Sequence, residues 1–81
     1  MNNIQIAAKL YDCRDTAKSL FKEEYKTKLQ PYTHIVKEVM KANKLEVIPA
    51  LLKISKTATY QDSGIAQMMF MAAVEELIEQ H

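Results

Sequence analysis

The side chains able to do chemistry are few and scattered. The 81-residue chain holds one cysteine, Cys13, two histidines, His34 and His81, and one arginine, Arg14. No His or Asp is placed to activate Cys13, which reads as a small core residue rather than a nucleophile. His34 has no second His, Cys or carboxylate at metal-ligand spacing and reads as a surface or half-buried histidine. Glu75 and Glu76 are adjacent, but neighbours on a helix point about 100° apart and share neither a proton nor a metal. The only glycine, Gly64, excludes a glycine-rich phosphate loop, and CxxC, HExxH and acidic calcium-loop patterns are absent. The expectation is a non-enzymatic protein with no catalytic residue, no metal, no cofactor and no small-molecule substrate.

The elements that position these groups are helical. Hydrophobic residues make up 48% of the chain and charged residues 26%, a globular balance. One Gly and two Pro leave few turn signals, so long helices with short connections are favoured. The length fits one domain over residues 1–81, folded as a small antiparallel bundle of three to four helices. A single cysteine excludes an internal disulfide and fits a reducing cytoplasm. The start, MNNIQIAAKL, has neither the basic region nor the apolar core of a signal peptide. No apolar run approaches the ~20 residues of a membrane span.

Apolar spacing predicts a first helix over residues 3–28. Leu10, Ala17 and Phe21 centre its stripe, Ile6, Cys13 and Tyr25 flank it, and Asp12, Asp15, Lys22, Glu23 and Lys26 lie opposite. It ends near Gln30, because Pro31 disfavours helix in the residue before it. Pro31 then suits the first turn of a second helix over 31–43, with Ile35, Val36, Val39 and Met40 inward and Lys37, Lys41 and Lys44 outward. Asn43 and Glu46 have the spacing of a capping box. A third helix runs to about Thr57 and buries Val47, Ile48, Leu51, Leu52 and Ile54; it starts before or after Pro49, which the residues leave open. TATYQDSG, residues 57–64, is a loop, and Asp62 or Ser63 caps a last helix that ends at about Glu79.

The last helix is the unusual one. Around Phe70, the residues Ala66, Ala73, Val74 and Leu77 make an ordinary core stripe. Glu75, Glu76 and Glu79 fall on the far side, as a solvated face should, but Ile65, Met68 and Ala72 fall there too. Two readings follow. The helix is central and covered by neighbours all round, or it has a second face, Ile65, Met68 and Ala72 with Met71, turned to a partner or a second copy. Methionine suits either role.

Charge is unevenly spread. Residues 1–56 hold all eleven Lys and Arg with six acids, a net +5, and residues 57–81 hold four acids and no base, a net −4. This reads as complementarity between helices, or as a basic surface for an acidic partner. Lys37, Lys41 and Lys44 form a strip on the second helix, but it lacks arginine, the main reader of guanine, and the balanced net charge argues against strong phosphate binding. The acidic polar side of the last helix is wrong for anionic lipids.

Across its whole length, and most visibly in the start MNNIQIAAKLYDCRDTAKSLF and the tail IAQMMFMAAVEELIEQH, the chain resembles the lysis-inhibition accessory proteins of T-even phages, the cytoplasmic antiholins. The resemblance implies a non-enzymatic binder in the host cytoplasm that holds the phage holin by its short cytoplasmic segment and delays lysis. Ile65, Met68, Met71 and Ala72 would then line the groove or a homo-oligomeric face, with Lys37 and Lys41 steering the partner from its rim. The alternative is a small phage regulatory protein that binds nucleic acid or the transcription machinery.

Overall fold

The first helix stops earlier than its apolar stripe does. In the computed structural model, which describes residues 3–80, α1 spans Asn3–Phe21, a 3-10 turn follows at Lys22–Glu24, and α2 runs Tyr25–Asn43. Lys22 has φ 51°, the one departure from negative φ between α1 and the end of α2. The chain therefore turns without a loop, on a single left-handed residue.

Pro31, expected to start a helix, lies inside α2. An interior proline removes one backbone hydrogen bond and crowds the preceding turn, at about 3 kcal/mol. Burial on both sides of it offsets that cost. Tyr25 and Leu29 are buried before Pro31 and Val36 after it, and the Tyr32 ring meets Phe70 edge-on at 4.9 Å between centroids. The capping box is also corrected. Asn43 is the last residue of α2, and its side chain donates back to the Val39 carbonyl at 2.9 Å. Lys44 takes the left-handed position with φ 52°, and Leu45 N–H donates to the Met40 carbonyl at 2.9 Å, as in a Schellman turn.

The position of Pro49 is decided by α3, which spans Val47–Ile54. Pro49 then falls in the first turn, where its missing N–H has no helical partner to lose. Ala50, Leu51 and Ile54 are buried, but Leu52, expected inside, is 56% exposed; Ile35 of α2 is likewise exposed. Within the expected loop lies a one-turn helix, α4, at Ala58–Gln61, capped by Thr57. The last helix, α5, spans Gly64–Glu79, and Ser63 Oγ caps it by accepting from Ala66 N–H at 3.1 Å.

The all-α bundle is arranged around α5. Its largest interface is with α1, followed by α2, α3 and α4. α1 also meets α2, and α2 meets α3, whereas α1 and α3 form no comparable interface. Three helices thus wrap α5 and leave one side open between α1 and α3. Phe70, Met69, Val36 and Val74 are the largest fully buried side chains, and Ala72 and Ala73 are wholly buried between them in sequence.

Candidate functional site

The face of α5 that carries its glutamates is covered by α1. Arg14 is buried, and its Nη1 lies 3.6 Å from Glu76 and 4.0 Å from Glu75, and pairs most closely with Glu79. Arg14 stands four residues after Leu10 and three before Ala17, which puts a cation in the middle of the core stripe of α1. Its guanidinium lies over the Tyr11 ring, with the guanidinium carbon 4.9 Å from the ring centroid. The close pairing with Glu79 leads the effects that raise the Arg14 pKa against its burial, and the same pairing lowers that of Glu79. Tyr25 is buried nearby, and burial, reinforced by Glu76, pushes its hydroxyl up to about 12. The glutamate face expected to meet solvent is therefore an ionic seam with α1, largely covered at Glu75 and Glu76 and open at Glu79. The signal for it in the sequence is the single arginine at stripe spacing together with a tail that has no base.

The open side of the bundle is apolar. Between α1 and α3, Ile6 and Leu10 face Ile48, Leu51 and Leu52, with Met71 of α5 beneath and Tyr60 of α4 alongside, around a cavity of about 140 Å³. It adjoins a second cavity of about 270 Å³ that shares Ile6, Leu10 and Ile48 and ends at Glu75 and Ile78. Together they form a groove along α5 with Lys9 at one part of its edge and Glu75 at another. Two of its side chains, Leu52 and Ile78, are 56% and 39% exposed. Such a row of aliphatic side chains removes apolar surface from water at about 25 cal/mol per Å² when a partner covers it. Met71 forms part of the groove and also accepts the Cys13 thiol at 3.5 Å, and burial pushes the Cys13 pKa up, away from thiolate reactivity.

Of the residues expected to meet a partner, the structure brings only Met71 into this groove. Ile65 is exposed in the first turn of α5, and Met68 is half-buried against the core. Ala72 is wholly buried and offers no surface to a partner. Lys37 lines a separate, polar groove with Lys26, His34 and Glu76, between α2 and α5. Lys41 is exposed on α2 and lines neither groove. Lys37 and Lys41 therefore do not rim the apolar groove; Lys9 does. Ile6, Ile48, Leu52 and Ile78 do line it; each follows ordinary core spacing, so periodicity alone does not single them out.

No helix among the described residues is long and apolar enough to cross a membrane. No family model, curated protein or solved structure matches the chain.

Proposed function

We propose that this protein is a non-enzymatic phage lysis inhibitor that binds the cytoplasmic segment of the holin in the groove between α1 and α3. The observation that carries this reading is the groove itself: aliphatic walls from two helices that share no extensive interface, over a floor from α5. That shape and composition suit the apolar face of a helix, which buries side chains spaced three and four apart. The resemblance of the start and tail of the chain to the cytoplasmic antiholins supplies the partner. Binding there would withhold holin from assembly by occupying a surface, a task that needs no catalytic group.

The test is titration of the holin's cytoplasmic segment, as a peptide, into the wild-type chain and the Leu52→Asp and Ile78→Asp variants. Both positions are exposed enough to accept a carboxylate without unfolding the core. Each variant is expected to weaken binding at least about tenfold, because a carboxylate would have to be desolvated in the groove. Unchanged binding in both variants would remove the groove from the reading. Affinity that is insensitive to these variants but collapses with salt and with loss of Lys37 and Lys41 would favour the regulatory, nucleic-acid-binding alternative.

A further inference from the structure

The connection between α1 and α2 turns on a single residue. Its residues, Lys22, Glu23 and Glu24, include no glycine, proline or asparagine; all three are good helix formers. Phe21, Glu24 and Tyr25 all hold right-handed helical backbone angles, and Lys22 alone has positive φ. A left-handed conformation is unfavourable for a residue with a Cβ, and here no turn side chain compensates it. Rotation of Lys22 into the helical region would join α1 and α2 into one helix, which is what the apolar spacing across residues 3–28 favours locally.

We infer that the Lys22–Glu24 link opens and that α1 exchanges between two copies of the chain, giving a domain-swapped dimer in which the α1 of each copy packs on the α5 of the other. The occupant is fixed by complementarity. An extended α1 would expose Leu10 and Ala17 and leave Arg14 without its glutamates, while uncovering the Glu75, Glu76 and Glu79 face of its own α5. A second copy offers the same two surfaces in the same register, so both interfaces re-form with no new contact required. Short strained links favour this exchange over folding back.

Charge reversal tests it with the full chain. One chain carries Arg14→Glu; the other carries Glu75→Arg, Glu76→Arg and Glu79→Arg. Alone, each opposes like charges across α1 and α5, whether monomeric or swapped. Refolded together from denaturant, they restore both ionic seams in a swapped heterodimer and only there. Native mass spectrometry is expected to show the one-plus-one species as the main product, with helicity and melting temperature recovered toward wild type. Adding Lys22→Gly to both chains is expected to lower the association constant at least about tenfold, since glycine relaxes the left-handed turn and disfavours the continuous helix. A mixture that yields no heterodimer, whether its chains stay monomeric or unfolded, would overturn the inference. So would a heterodimer indifferent to Lys22→Gly, which would be a side-by-side contact.

Discussion

Arg14 of α1 and Glu76 of α5 lie 3.6 Å apart across the largest helix interface in the molecule, with the arginine buried and the glutamate less than one quarter exposed. Glu75 and Glu79 complete the seam. A cation in a core stripe is tolerable only because three carboxylates face it; desolvation otherwise disfavours a buried charge strongly.

Removing that cation should therefore be among the most damaging single changes. Arg14→Ala leaves three carboxylates together and a void against Tyr11. A loss of about 2 kcal/mol in urea unfolding is expected, between the ranges for exposed and fully buried pairs because Glu79 is about half exposed. A loss below the few tenths typical of surface substitutions would show that the seam contributes little.

Acid should act through the same seam. The Arg14 pairing lowers the pKa of Glu79, so the folded state holds this carboxylate ionised more firmly than the unfolded chain does. The associated stability is present above the ordinary glutamate range and is lost as pH falls through the lowered folded value. Melting temperature is expected to drop below about pH 4.5 in wild type, and to drop less in Arg14→Ala. Equal acid slopes in the two proteins would rule this contribution out.

The alkaline limb has a different origin. Tyr25 has its hydroxyl pushed from about 10 to about 12, chiefly by burial, so folding favours the neutral phenol. That contribution is complete below pH 10 and is lost as pH rises toward 12. Ultraviolet titration should find a late tyrosine phase that accompanies unfolding and vanishes in Tyr25→Phe.

Two backbone substitutions of opposite kind should each stabilise the chain. Lys44 closes α2 with φ 52°, where glycine is unstrained, so Lys44→Gly is expected to add about 0.5–1 kcal/mol. Gly64 has negative φ in the first turn of α5, with open space where a Cβ would stand, so Gly64→Ala should add a similar amount by restricting the unfolded chain. Chemical denaturation of both variants and of the double mutant would check the sign and the additivity.

The far side of α5 can be mapped by size. Ala72→Leu adds volume where there is no free surface and is expected to cost about 1–3 kcal/mol or more. Ile65→Lys, at a residue 50% exposed, should change stability by less than about 0.5 kcal/mol. Thermal melts of the pair would distinguish a covered helix from one with a free second face; a neutral Ala72→Leu would restore the free face.

Helix content and most of the core were legible in the sequence because they follow from local periodicity. Leu10, Ala17 and Phe70 with its stripe lie on spacings of three and four, and Ser63 is a polar cap before an apolar run. Three features needed the tertiary structure. The break at Lys22 goes against the local preference for helix and exists because α1 and α2 both gain by packing on α5. Pro31 stays inside a helix because buried neighbours on both sides outweigh its local cost. The glutamate face of α5, locally a solvated surface, became an interface because one arginine on another helix faces it. Which helices pack only lightly, and so where a groove stays open beside Leu52 and Ile78, is a relation between distant segments that one-dimensional spacing does not contain.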